Sequence, residues 1–454
     1  MNESRSNFTG KIGFILAAAG SAVGLGNIWR FPYLVAKYGG GTFLLCYIIL
    51  AITFGFTLMT AEIALGRKTG LSAIGAFKKL DKRFGFLGVL ASIVPIIILP
   101  YYSVIGGWVI KYFGTFISGG TKAAAGDTYF TDFIGSVKSP IIWFVLFVAL
   151  TAVVVIFGVE KGIENVSKFM MPVLVVLTIG ISLYVLTMDG AMEGLKYYIM
   201  PDMSNFSVKT LLAAMGQLFY SMSLAMGIMI TYGSYMKKTT NLESSVRQIE
   251  IFDTGIAFFA GLMIVPAVFT FSGGDQSALS AGPGLMFITL PKVFASMPMG
   301  GFIGTVFFVL VFFAALTSAI SLMETIVSIF MDKFKWNRKF TCIIVTAYVL
   351  LMGIPSSLGF GVWDFIQPLG MSILDFMDFI SNSVLMPVVA LFTCIFVGFV
   401  IKPKAVIEEA SAGGARFKSK RLFTVMIRWI APIFLLAILI TSVAGTMGFD
   451  FFKL

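Results

Sequence analysis

The chain has 454 residues, of which 58% are hydrophobic and only 12% charged, with a formal net charge of +11 and no histidine. Soluble domains are about 45–50% apolar and about 25% charged, so this chain has too little polar surface to cover itself and belongs to a polytopic membrane protein. The missing histidine excludes His-ligated metal sites and Ser-His or Cys-His nucleophile pairs, and the positive charge reads as cytoplasmic loops, with no nucleic-acid partner expected.

A membrane helix needs about 20 mainly apolar residues. On that measure eleven spans are predicted, near 12–36, 42–66, 86–116, 140–158, 167–187, 211–236, 246–272, 301–331, 339–356, 371–401 and 422–447. The third and tenth runs are long enough to be either single tilted helices or two elements. The first run is too long for a signal peptide and carries no cleavage pattern. Cys46, Cys342 and Cys394 lie far apart inside apolar runs, as buried thiols do. Between spans seven and eight, residues 285–290 form an apolar stretch bounded by Pro283 and Pro291, which fits a re-entrant or surface-lying helix.

Basic residues set the orientation. Arg67, Lys68, Lys78, Lys79, Lys82 and Arg83 share one loop, Lys333, Lys335, Arg338 and Lys339 another, and Lys402, Lys404, Arg416, Lys418, Lys420 and Arg421 a third. These loops alternate with nearly charge-balanced ones. Positive loops stay inside, so the N-terminus is expected in the cytoplasm and, with an odd span count, the C-terminus outside. The pattern suits a bacterial inner membrane.

Two spans carry small and polar residues at mid-depth. The first has Gly20-Ser21-Ala22-Val23-Gly24-Leu25-Gly26-Asn27, then Trp29-Arg30-Phe31-Pro32; the sixth has Ser221-Met222-Ser223-Leu224-Ala225-Met226-Gly227. Close packing through small residues would explain Gly20 and Gly24. It does not explain Asn27 and Arg30, because polar groups at depth are expensive and line cavities. The alternative is that both helices unwind there, leaving backbone N–H groups for an anion and carbonyls for a cation. Spans one and six would then open two five-helix halves, 12–187 and 211–401, of one transporter domain occupying 1–454, with 422–447 as an additional eleventh helix. An inverted 5+5 repeat is inferred from the paired breaks, since no repeat is visible in the residues themselves.

The run from Gly20 to Pro32, with Gly39-Gly40-Gly41 and Glu62, resembles the neurotransmitter:sodium symporter family. So do Pro100-Tyr101-Tyr102, residues 217–227, 231–235 and 312–318, and Met377-Asp378-Phe379. The resemblance implies two sodium sites and an amino-acid site. The first sodium site would use the Ala22 carbonyl, Asn27, Ser221, Asp253 and the substrate carboxylate. The second would use carbonyls of Gly20, Val23 and Ala314 with the hydroxyls of Thr317 and Ser318; all these ligands are hard oxygens suited to a hard cation. The substrate carboxylate would meet the amides of Leu25 and Gly26 and the Tyr102 hydroxyl, and its amine the carbonyls around Ala22, Tyr220 and Ser223. Ile98, Tyr220, Met226, Ser318 and Leu322 would line the side-chain pocket. Arg30 with Asp378, beside Gln217, would close the outer side, and Arg5 with Asp332, beside Ser234 and Tyr235, the cytoplasmic side.

Asp253 stands where many members of that family carry Asn, and Ala257 where chloride-independent relatives carry an acid. Asp253 is therefore expected to supply the charge itself and make transport chloride-independent. Ala225 replaces a frequent Gly and would stiffen or fill the second break. The expected activity is sodium-coupled import of a neutral, large hydrophobic or aromatic L-amino acid by alternating access, with no enzymatic step. Glu62, Asp253, Asp375 and Asp378 keep a proton-coupled permease open as an alternative. Asp375 and Asp378, one turn apart, are all that would favour an intramembrane enzyme, and a transport-inactive sensor is the third reading.

Overall fold

The computed structural model describes residues 7–273 and 282–446. Among these the chain is helical, and the one strand-like contact is a bridge between Gly40 and Pro201. Among the described residues nine helices are long and apolar enough to cross a membrane: Gly41–Thr69, Lys82–Ile117, Lys138–Ile156, Val159–Val185, Leu242–Ser272, Gly300–Phe334, Arg338–Leu358, Ile373–Val400 and Lys420–Gly445. The bent pair Lys11–Ala22 and Gly26–Lys37 adds a tenth. The remaining expected crossing is divided into Val208–Ser221 and Ile228–Ser234, and neither piece reaches spanning length alone. With that pair counted as span six, the crossings in chain order are spans one to eleven.

The third and tenth runs are both single helices. Span three continues through Pro95 and Pro100. Pro100 has no N–H to give the carbonyl one turn back, and the Tyr348 hydroxyl donates to that Ile96 carbonyl at 3.0 Å instead. A neighbouring side chain thus repairs a gap that lipid could not fill. Span five starts at Val159, eight residues before the position hydropathy suggests, because its first turn carries Glu160, Lys161 and Glu164. Glu164 is buried at the end of the bundle and accepts hydrogen bonds from the Thr9 amide and hydroxyl. The short apolar stretch after span seven forms the helix Leu285–Ser296.

The first half of span one packs against spans five, seven and eight, span six packs against span two, and spans three and eight lie together. Spans four, five, nine and eleven present exposed Ile142, Val176, Leu351 and Ile433, an apolar exterior suited to acyl chains. Spans two and six touch through bare backbone. A Cβ on Gly66 would strike the Ile230 carbonyl, and one on Gly233 would strike the Ile63 carbonyl.

This contact leaves no room for a side chain. Gly66→Val should destabilise the protein by about 1–3 kcal/mol through overpacking, whereas Gly180→Ala, which meets nothing within 4 Å, should be neutral. Thermal unfolding of the two variants in detergent compares them directly. Equal transitions would remove the spans two–six contact from the account.

Candidate functional site

Span one stops at Ala22 because Val23 turns extended, at φ −72° and ψ 101°. The chain resumes as a wide turn over Gly26–Arg30, and the second half leaves at 55° to the first. Asn27 closes the gap, its Oδ1 accepting the Gly24 amide at 3.1 Å. Span six stops at Ser221 and returns at Ile228 through three left-handed residues, Ser223, Ala225 and Gly227, at φ 52°, 61° and 71°. A side-chain-bearing residue held there costs on the order of 1–3 kcal/mol and persists only where its surroundings fix it. Here they do. The Ala225 amide donates to Glu62 Oε1 at 2.7 Å, and the Ser223 hydroxyl donates to the Ser21 carbonyl at 2.9 Å. Ala225 thus adopts the conformation a glycine would take without strain.

The three side chains expected at the first sodium site come together. The Asp253 carboxylate accepts from Asn27 Nδ2 at 2.8 Å, from the Ser221 hydroxyl at 2.8 and 2.9 Å to its two oxygens, and from the Tyr47 hydroxyl at 3.2 Å. All four side chains are buried. A cation there would meet the Asp253 carboxylate directly and, after a half-turn of the amide, the Asn27 oxygen.

The second set also converges. Ser318 Oγ lies 3.4, 3.1 and 3.3 Å from the carbonyls of Gly20, Ser21 and Val23. Thr317 Oγ1 lies 3.2 Å from the Ala314 carbonyl, and a Cβ on Gly20 would sit 3.2 Å from the Thr317 Cβ. The break in span one directs its loosened carbonyls at Ser318, while the Thr317 hydroxyl donates to the Phe313 carbonyl of its own helix at 2.9 Å; together these oxygens are a set that fits a hard cation.

Between the breaks lies a small cavity of about 30 Å³. Ala22, Leu25, Gly26, Ile98, Tyr102, Tyr220, Ser223, Met226, Ser318 and Leu322, the ten residues expected to meet substrate, all line it. The buried Tyr102 hydroxyl has no hydrogen-bond partner of full geometry among the described residues. It is a donor free to take a ligand oxygen.

The outer gate departs from the expectation. Arg30 and Asp378 form no ion pair. Arg30 lies over the Tyr220 ring at 5.2 Å, and Asp378 accepts from Tyr101 at 3.1 Å and Asn382 at 2.5 Å. Gln217 instead donates to the Gly26 carbonyl at 2.9 Å and braces the break. Arg5 lies outside the described residues. Asp332 accepts from the Ser72 amide and hydroxyl at 2.7 and 2.6 Å, Ser234 donates to the Thr231 carbonyl at 2.5 Å, and Tyr235 donates to Glu324 at 2.7 Å. Asp375 is the partner of Ser372 in the N-terminal cap of span ten, at 2.7 Å.

Three contributors escaped the sequence reading. Tyr47 was legible as a hydroxyl inside span two. Ser21 acts through its carbonyl, which has no side-chain signature. Glu324, buried in span eight and ion-paired with Arg338, was hidden among apolar neighbours.

Two interrupted helices framing a pocket, with oxygen-rich clusters beside it, define a membrane carrier. The model of the Sodium:neurotransmitter symporter family matches residues 5–125 and 127–452. An uncharacterized sodium-dependent transporter of Bacillus subtilis is 36% identical over 451 residues, 97% of this chain and 98% of that one. One of Haemophilus influenzae is 34% identical over 457 residues, 97% and 99% of the respective chains. The crystal structure of MhsT in complex with L-phenylalanine superposes with a TM-score of 0.87 at 39% identity, covering 97% of this chain and 100% of that one. The chain belongs to the sodium:neurotransmitter symporter family. It is an integral membrane transporter and not an enzyme.

The Glu62 carboxylate that holds the second break gives a direct test. Glu62→Ala leaves the Ala225 amide without its acceptor and should cost about 1–3 kcal/mol, while Glu62→Gln keeps an acceptor and should cost clearly less. Thermal unfolding in detergent distinguishes them, and equal losses would remove the cap from the argument.

Proposed function

We propose that this protein is a sodium-coupled symporter that imports a neutral L-amino acid with a large hydrophobic or aromatic side chain, without chloride, by alternating access. The observation that carries the reading is the cavity between the two breaks, with an unpartnered Tyr102 hydroxyl at one end and Ile98, Met226 and Leu322 along its wall. A carboxylate would take the Tyr102 hydroxyl and the Leu25 and Gly26 amides, and an apolar side chain would face that wall. No lining residue is charged, so charged side chains would be buried without a partner, which is costly. The MhsT of the crystal structure holds L-phenylalanine, an amino acid of the proposed class.

Two sodium ions would be carried, one beside Asp253, Asn27, Ser221 and the Ala22 carbonyl, the other among Gly20, Val23, Ala314, Thr317 and Ser318. Asp253 is met by three potential donors, Asn27, Ser221 and Tyr47, which favour its ionised form. That fixed charge beside the first ion stands in for a bound anion. Each sodium ion entering down about 100 mV gains about 2.3 kcal/mol, and a tenfold gradient adds about 1.4 kcal/mol, so two supply about 7 kcal/mol. Residues 12–187 and 211–401 would form the two inverted halves, with 422–447 outside them, in a bacterial inner membrane with the N-terminus in the cytoplasm and the C-terminus outside.

Binding of labelled neutral amino acids to purified protein, in sodium against choline and in mildly acidic against mildly alkaline buffer, tests the coupling ion. Sodium should be required, and Thr317→Ala or Asp253→Asn should weaken sodium-dependent binding by about tenfold or more. Replacing chloride by gluconate should leave binding unchanged. Binding that ignores sodium and follows pH would instead make this a proton-coupled carrier.

The pocket assignment is tested separately. Met226→Phe should reduce affinity for the largest side chains more than for alanine, read by competition against the best labelled substrate. An unchanged ranking would displace Met226 from the pocket wall.

A further inference from the structure

We propose that the cleft between the loop helix Ala73–Leu80 and the end of span eight binds an anionic phospholipid, its phosphate held by lysines and one acyl chain laid on an apolar floor. The cleft has a volume of about 560 Å³. Leu71, Ile74 and Val89 form its apolar lining, and Lys78, Lys82, Lys333 and Lys335 stand around it. Among the described residues none of these four lysines pairs with a carboxylate. Their neighbours are engaged otherwise: Lys79 donates to the Thr69 carbonyl at 2.8 Å, and Arg83 pairs with Asp81 at 2.7 Å. The single acid in the lining, Asp332, takes the Ser72 amide and hydroxyl. Four cations against one such carboxylate leave a positive cleft.

Its surroundings indicate a lipid rather than a soluble anion. Phe86, Val89 and Phe334 are 46%, 45% and 47% exposed, an apolar rim that water would not favour and acyl chains would. Trp336 stacks on Phe334 at 4.8 Å, the kind of aromatic found at the headgroup level. Lys335 closes span eight in a left-handed conformation at φ 58°, a backbone cost for a residue with a side chain. That turn places it on the cleft. Clusters of lysine next to membrane helices attract anionic lipid at the cytoplasmic leaflet. The loop helix also touches the second break, since a Cβ on Gly227 would lie 3.1 Å from Ala73. A lipid seated here would therefore bear on the element that carries the broken span. The proposal rests on the membrane fold alone and is independent of the amino acid carried.

Native mass spectrometry of the full-length protein in detergent, loaded with phosphatidylglycerol or phosphatidylcholine, tests it. Phosphatidylglycerol should be retained in preference. Retention should fall about tenfold in Lys78→Gln/Lys335→Gln, stay in Lys78→Arg/Lys335→Arg, and be unaffected by Lys418→Gln/Lys420→Gln on a different basic loop. Ile74→Trp, which fills the floor and keeps every charge, should also lose the lipid and decides the matter if the glutamine variant fails to fold. Equal retention of phosphatidylcholine, an equal loss in the Lys418/Lys420 control, or undiminished retention in Ile74→Trp would overturn the proposal. So would inorganic phosphate binding the lipid-free protein with the same dependence on Lys78 and Lys335, because the site would then belong to a free anion.

Discussion

The structure depends on satisfying backbone groups where no water can reach them. An interrupted helix inside a membrane bundle exposes N–H and C=O groups at several kcal/mol each unless something takes them. Here several of the freed groups have a local partner. Asn27 accepts the Gly24 amide, Glu62 accepts the Ala225 amide, Gln217 donates to the Gly26 carbonyl, and Ser318 reaches the carbonyls of Gly20, Ser21 and Val23. The two breaks also hold each other, through Ser223 and Ser21. This arrangement is provisional in an informative way. A carbonyl bonded to a neutral hydroxyl can be passed to a cation with little net change, because the hydroxyl oxygen becomes a ligand as well. The same groups therefore keep the fold intact before binding and would coordinate during it.

The two ends of the bundle are closed to different degrees. At the end carrying the N-terminal segment, Phe8 is buried edge-on against Phe14, Tyr232 and Tyr235. Arg67 and Glu409 pair there at 2.9 Å with both side chains buried, and Lys238 joins them at 3.0 Å. Glu324 is held by Arg338 and by the Tyr235 hydroxyl. Buried ion pairs add little net stability, but removing one partner leaves an uncompensated charge that costs about 3–5 kcal/mol. Such pairs make a closed end that opens only when all their members move together. At the opposite end the two expected partners stand apart.

Hydropathy alone revealed most of the fold, because lipid demands long apolar helices and charge on the loops. The two breaks were legible for the opposite reason, since Asn27 and Arg30 are too costly at depth to be ornamental. Legibility ended where chemistry is carried by backbone or by placement. The Ser21 carbonyl leaves no mark on the sequence, and nothing in the residues reveals that Glu62 would cap a break in another span. The charged first turn of span five hid its start. Arg30 and Asp378 were paired by resemblance, whereas their partners in this structure are Tyr220 on one side and Tyr101 with Asn382 on the other. Sequence separation says nothing about which of several nearby partners a long side chain takes.

That last choice is a matter of near-equal energies. A guanidinium over an aromatic ring gains about 0.5–2 kcal/mol, depending on how far it is desolvated. An ion pair open to water gains about 0–1 kcal/mol. Swinging Arg30 from Tyr220 to Asp378 would exchange one for the other at a cost of about 2 kcal/mol at most. The Tyr220 ring lies directly on Gly26, where a Cβ would collide with it, so backbone, ring and guanidinium form one stack at the pocket. A ligand that dries the space beneath would strengthen whichever charge interaction excludes water better. The outer side thus needs no strong lock: two weak alternatives of similar energy, with Tyr220 shared between pocket and gate, are enough for occupancy to decide between them.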